Sequence, residues 1–145
     1  MIYPLRIKRV IKYIDKHLSN ELNLEVLSEV ACLSKFHFHR FFSANVGMPV
    51  SSYIKQLRLR RASFELAFRK ETKIIDIAMS CSYQSPEAFS RAFKRVVGQT
   101  PSNFRKTPDW KRWYLKYEQL EMIREESIEM QTNPIKLVDF KETKI

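Results

Sequence analysis

Glycine is nearly missing from this chain: two residues in 145, where average usage near 7% would supply about ten. Phosphate-cradling loops, dinucleotide-binding turns and runs of tight β-hairpins need glycine at positive φ or at a close ligand approach. The sequence offers no G-x-G, no G-K and no N-G. Cysteine is scarce as well. Cys32 and Cys81 are too few for a disulfide scaffold and lack C-x-x-C spacing, which fits reduced thiols in a cytoplasmic protein. No stretch approaches 18 consecutive apolar residues, and Met1-Ile2-Tyr3-Pro4-Leu5-Arg6 lacks the apolar segment of a signal peptide, so no membrane partner is expected. No hydroxyl, histidine and carboxylate arrangement suggests a nucleophile, and an enzyme is the least supported class. His37 and His39 point about 160° apart on a helix and cannot chelate together; neither a metal nor a cofactor is expected.

What remains is a mostly helical chain of 44% hydrophobic and 12% aromatic residues, enough for one ordinary core or two small ones. It is strongly basic, with 26 Lys and Arg against 16 Asp and Glu, net +10. The excess is localised. Residues 1–106 hold 19 basic and 8 acidic side chains, and residues 107–145 hold 7 and 8. A basic segment of that kind points to nucleic acid or an anionic surface.

Helical periodicity runs through most of the chain. Ile7, Val10, Ile11 and Ile14 define the inner face of a first helix, about Leu5 to Leu18. Asn23 is an N-cap for a second helix to about Ala31, burying Leu24, Leu27 and Val30 or Ala31. Ser34 caps a third, which Gly47 and Pro49 stop. Ser51 or Ser52 opens a long fourth helix to about Phe68 with an inner stripe of Ile54, Leu57, the Arg58 stem, Ala62 and Leu66. Its outer face carries Lys55, Arg60, Arg61 and Arg69.

From Thr72 the pattern repeats. Between Ser34–Ser51 and Ser85–Ser102, at an offset of 51, seven of eighteen positions are identical: Ser34/Ser85, Phe38/Phe89, Arg40/Arg91, Phe42/Phe93, Val46/Val97, Gly47/Gly98 and Ser51/Ser102. The preceding helices match at an offset of 50, with Leu24/Ile74, Leu27/Ile77 and Ala31/Cys81. Each copy is a short helix, a tight turn and a capped helix, a helix-turn-helix made twice. On a helical wheel centred on Phe38, residues Phe41, Phe42 and Asn45 lie within about 60° of it, and Phe36, Arg40 and Ser43 lie opposite, flanked by His39. In the second copy Phe89, Ala92, Phe93 and Val96 face inward, and Glu87, Ser90, Arg91 and Lys94 outward.

An arginine at the centre of a presented face suits the major groove, because its fork donates two hydrogen bonds to guanine O6 and N7. The plainer alternative is a solvated surface arginine. Phe36 either packs on thymine methyls and sugars or against the first helix, and Glu87 either accepts from cytosine N4 or favours the helix N-terminus.

The run Ser34-Lys-Phe-His-Phe-His-Arg40-Phe-Phe, with Gly47-Met-Pro49 and Tyr53-Ile-x-x-Leu57-Arg58-Leu59-x-x-Ala62, resembles the first half of the AraC/XylS DNA-binding domain. The second half is matched by Ile74-Ile-Asp-Ile77-Ala78, Ser85, Phe89-Ser-Arg91-Ala-Phe93-Lys94-Arg95, Gly98-Gln-Thr-Pro101 and Phe104-Arg105. The resemblance covers about residues 4–106. It implies seven helices in which a rigid linker helix joins two helix-turn-helix subdomains, both recognition helices entering successive major grooves, with contacts roughly 34 Å apart. By the same analogy the base-reading residues are Phe36, His39, Arg40, Pro86, Glu87, Ser90 and Arg91. The phosphate contacts are Ser34, Lys35, Ser43, Ser85, Lys94 and Arg95. Family members usually have glycine in each turn, where this chain has Cys32 and Ser82; Tyr83 replaces a usual phenylalanine and Ser28 a small alanine. Both turns are therefore expected to be strained or differently shaped, a small side chain occupying the left-handed region at about 1 kcal/mol.

Thr107-Pro108-Asp109 reads as a cap, a proline and an acid opening another helix. The stripe Trp110, Trp113, Tyr114, Tyr117, Leu120 and Ile123 needs a partner surface, either the basic domain itself or a second domain or protomer. Asn133-Pro134 breaks that helix, and Ile135–Phe140 reads as an orphan strand. Such a strand resembles the junction at which some AraC-type regulators continue into a gyrase-inhibitor-like effector-binding domain, the expected seat of any small-molecule effector.

The expected fold class is therefore all-α, two helix-turn-helix subdomains joined by a long linker helix, plus a C-terminal helix and a short strand. The expected divisions are 1–50, a linker at 51–69, 70–106, an amphipathic helix at 107–132, and 133–145 as the start of an effector domain. The expected function is a bacterial transcription regulator, an activator by resemblance, acting on double-stranded DNA with RNA polymerase as partner, cytoplasmic and nucleoid-associated. A sequence-blind architectural nucleic-acid-binding protein and a helical adaptor using the Trp110–Tyr117 stripe are the rivals.

Overall fold

A computed structural model describes residues 3–129. Eight α-helices follow in order: α1 Leu5–Lys16, α2 Leu24–Ala31, α3 Lys35–Val46, α4 Val50–Phe68, α5 Ile74–Ser80, α6 Pro86–Val97, α7 Pro101–Lys106 and α8 Trp110–Arg124, and a π-helical turn covers Glu125–Glu129. Among the described residues there is no strand. The Ile135–Phe140 segment lies outside them, as does the far end of the expected 107–132 helix.

The contacts divide the chain into two units. The first comprises residues up to Tyr53 together with those from Leu120 onward, and the second is Ile54–Gln119. In the first unit, α1 packs on α2, α2 on α3, and α1 on the π turn. Ile7, Val10, Ile11, Ile14, Leu27, Ala31, Phe38 and Phe42 are essentially inaccessible. Arg124, near the end of α8, donates from Nη2 to Asp15 Oδ1 at 2.9 Å and from Nε at 3.3 Å, tying that end to α1. In the second unit, α5 packs on α6 and α6 on α7, around Ile77, Phe89, Phe93 and Phe104.

Side-chain caps set most helix starts. Asn23 Oδ1 accepts from Val26 N, Ser34 Oγ from His37 N, Ser85 Oγ from Ala88 N and Thr100 Oγ1 from Asn103 N. Each satisfies an amide that has no partner inside its helix. Two starts differ from the sequence expectation. Helix α4 begins at Val50, with the Pro49 carbonyl accepting from Tyr53 N at 3.1 Å, so Ser51 and Ser52 lie inside its first turn. Helix α8 is capped by Asp109, whose Oδ1 accepts from Arg112 N at 3.1 Å; Thr107 instead ends α7. The cause is Gln99, whose amide donates to Thr107 O and accepts from Asp109 N, holding the intervening turn out of the helix. Helix α1 stops at Lys16, short of Leu18, with the His17 ring stacked on Tyr13.

The long helix α4 is covered far beyond a single stripe: Tyr53, Leu59, Ser63 and Ala67 are buried in addition to the expected positions. Arg60 and Arg61 are half-buried, not outward, and the Arg60 guanidinium lies 5.0 Å from the Phe64 ring centroid. Arg105 of α7 donates to the carbonyls of Leu66 and Arg69, closing the C-terminal end of α4.

The aromatic stripe of α8 finds its partner within the second unit. Trp113 meets Phe64 at 5.2 Å and Tyr117 at 4.9 Å, and Trp110 meets Phe104 at 5.2 Å and Phe68 at 5.7 Å. Trp113 and Tyr117 are buried, Trp110 is half-buried, and Tyr114 faces solvent. The stripe's buried rings are core, which removes the feature on which the adaptor reading rested.

Both helix-turn-helix turns use the left-handed region, at the two positions where the resemblance implied glycine. Cys32 sits at φ 58° and Ser82 at φ 66°, the non-glycine positive-φ positions among the described residues. Arg6 supports the first turn, its Nη1 donating to Cys32 O at 3.1 Å. Glycine at either position relieves the Cβ strain but loses more backbone freedom on folding. Cys32→Gly and Ser82→Gly are each expected to stabilise by a few tenths to about 1 kcal/mol in urea unfolding; a loss would mean the turns are not strained.

The two thiols differ in the same way as their settings. Cys32 is exposed, whereas burial pushes the Cys81 thiol up to about 11. At pH 8, a maleimide is expected to label Cys32 in the native protein and Cys81 only after denaturation, as mass spectrometry of timed samples would read.

Candidate nucleic-acid interface

Capping and core together decide what α3 and α6 present. Phe38, Phe42 and Val46 anchor α3, and Phe89, Ala92, Phe93 and Val97 anchor α6. Each helix ends at a glycine in the left-handed region, Gly47 at φ 91° and Gly98 at φ 95°. A side chain at Gly98 would also collide with the Arg112 guanidinium.

On the opposite face of α3, Lys35, Phe36, His39 and Arg40 are exposed. Phe36 is 73% exposed, so it does not pack against α1. The Arg40 guanidinium carbon lies 5.5 Å from the Phe36 ring centroid. Beside this pair, the His37 ring meets Phe41 edge-on at 6.2 Å. Phe36, His37, Arg40, Phe41 and Ala44 line a shallow open hollow. Lys35 Nζ is 3.4 Å from Glu25 Oε1 in an exposed pair of the kind that contributes little.

Ser43 departs from the outward face expected of it. It is half-buried, and its hydroxyl oxygen is buried without a hydrogen-bond partner, so it is not offered to a phosphate. On α6, Glu87, Arg91, Lys94 and Arg95 are exposed, and Pro86 and Ser90 are half-buried. Ser34 and Ser85 spend an oxygen lone pair on capping; their O–H groups keep a proton to donate.

Two features of this surface were not read from the sequence. The Phe36–Arg40 contact was available from the i, i+4 spacing, but Phe36 had a competing place in the core. The hollow depends on His37 and Phe41 turning toward one another, which the wheel does not specify. Among the described residues, no helix is long and apolar enough to cross a membrane.

A family model described as a helix-turn-helix domain matches residues 27–107. Regulatory protein SoxS of Salmonella typhimurium is 37% identical over 99 residues, 68% of this chain and 92% of that protein. The chain belongs to the AraC/XylS family of DNA-binding domains. Another relative, the uncharacterized HTH-type transcriptional regulator YbfP of Bacillus subtilis, is 39% identical over 105 residues, 72% of this chain but 35% of YbfP. Among solved structures, the C-terminal domain of AraT, a response regulator from Geobacillus stearothermophilus, superposes with a TM-score of 0.64 at 28% identity, covering 72% of this chain and 86% of that one. The DNA-binding domain of AdpA, solved with a target DNA, shares the fold, with a TM-score of 0.64 at 23% identity over 74% and 96% of the two chains. In this AraC/XylS member the two turns carry Cys32 and Ser82 at positive φ.

Proposed function

We propose that the chain is a sequence-specific double-stranded DNA-binding transcription regulator whose helices α3 and α6 each read a major-groove segment. The observation that carries this reading is one arginine at one position in two capped helices. Arg40 and Arg91 stand 51 residues apart in the sequence, each exposed opposite a buried phenylalanine pair. An isolated surface arginine needs no explanation; the same placement twice on a strongly basic segment favours base contact.

In this reading Phe36, His39, Arg40, Pro86, Glu87, Ser90 and Arg91 face bases, and Ser34, Lys35, Ser85, Lys94 and Arg95 face phosphates. The regulator is an activator that works with RNA polymerase on the cytoplasmic nucleoid, and any effector acts through a further domain. The names of its relatives, a regulatory protein and a global transcriptional factor bound to target DNA, support the DNA part of this reading.

Selection of bound duplexes from a random library at physiological salt tests it. The expected result is one asymmetric sequence with two conserved blocks about one helical turn apart. Affinity for that duplex is expected to fall steeply with salt: Lys35, Lys94 and Arg95 alone give a log–log slope of about −2.7. Enrichment of no sequence with the same slope favours the architectural reading, and a flat salt response removes DNA altogether.

A further inference from the structure

The presented face of α3 carries a large aromatic ring in the solvent, with the candidate base-reading arginine drawn over it. Phe36 and Arg40 are four residues apart and so share one lane of the helix surface. The 5.5 Å separation of guanidinium carbon and ring centroid is within cation–π range. A cation–π contact takes up none of the guanidinium's donors in a conventional hydrogen bond, so the fork stays available to a base. An unstacked arginine must surrender its rotamer freedom when it meets a base, and a pre-oriented one has less to lose.

We propose that Phe36 is a positioning residue for Arg40: the ring is a platform that holds the guanidinium in one orientation, so that guanine discrimination by α3 depends on the ring as much as on the fork. This rests on the reading of α3 as a recognition helix. The neighbouring lane of His37 and Phe41, in edge contact at 6.2 Å, borders the same hollow as Phe36 and Arg40. The device belongs to the first copy. At the equivalent place in α6, four residues before Arg91, stands Glu87, which offers no ring.

The test uses the full chain and the duplex recovered by selection. Substitution of each base pair first identifies the guanine whose contact Arg40→Ala abolishes. Affinity is then measured for that duplex and for one carrying 7-deazaguanine there, which lacks the N7 acceptor. Phe36→Leu is expected to shrink the ratio of the two affinities about threefold, and Phe36→Trp to preserve it. In an Arg40→Ala background, Phe36→Leu is expected to change the ratio no further. Because Phe36 is 73% exposed, these variants keep the core intact.

An unchanged ratio in Phe36→Leu overturns the proposal. So does a loss that persists in full without Arg40, which would make Phe36 an independent base contact. If the unaltered protein prefers no duplex at all, the recognition-helix reading fails first and takes the proposal with it.

Discussion

Replacing Trp113 with alanine is expected to cost about 3–5 kcal/mol of stability, the range for emptying a large aromatic from a packed core. The indole is 1% exposed and touches the rings of Phe64, Trp110 and Tyr117 at 5.2, 5.4 and 4.9 Å. Phe64 and Trp110 pack in turn on Phe68 and Phe104, so the hole cannot close without moving several rings. Tyr117 is itself inaccessible, and burial pushes its phenol above the ordinary tyrosine range. Urea unfolding followed by circular dichroism reads the loss. The same helix supplies a control: Leu115 is 67% exposed, and Leu115→Ala should stay within about 0.5 kcal/mol of the parent. A Trp113 variant of unchanged stability would return the stripe to the role of an interface.

Removing either repeated arginine is expected to act on recognition and leave folding alone. Arg40→Ala and Arg91→Ala should each weaken binding to the selected duplex by about 1–3 kcal/mol, the worth of a bidentate guanine contact, and relax specificity at one base pair. Random duplex should lose much less. Lys94→Ala and Arg95→Ala should weaken both duplexes alike and flatten the salt slope by about 0.9 for each lost phosphate. Equal losses on both duplexes for the arginine variants would make Arg40 and Arg91 phosphate contacts.

The sequence announced the elements whose causes are local. A cap, an apolar period and a glycine stop are written within a dozen residues, so α2, α3 and α6 begin and end where Asn23, Ser34, Ser85, Gly47 and Gly98 indicate. The repeat made the second copy legible from the first. Features whose causes are distant escaped. Thr107 had every attribute of a cap, and only the Gln99 amide, eight residues upstream, hands the role to Asp109. Arg60 belonged to an outer face by periodicity, whereas it lies over Phe64, and nothing local marks Arg105 as closing α4 through the backbone carbonyls of Leu66 and Arg69. Ser43 and Phe36 shared one side of the wheel, yet the serine hydroxyl is buried and the aromatic ring is in solvent. Periodicity ranks faces; it does not say which neighbour reaches over them.

The family match ends at residue 107, but the hydrophobic accounting does not. Helix α8 starts beyond that edge and serves each unit in turn, with Trp113 and Tyr117 buried in the second and Leu120 and Ile123 in the first. A fragment trimmed to the shared motif would keep every residue proposed to touch DNA and lose apolar ballast from both halves of the reader. A fragment that keeps both cores of this protein therefore has to include α1 and α8, joined by the Asp15–Arg124 tether, which lie outside the signature through which its kinship is recognised.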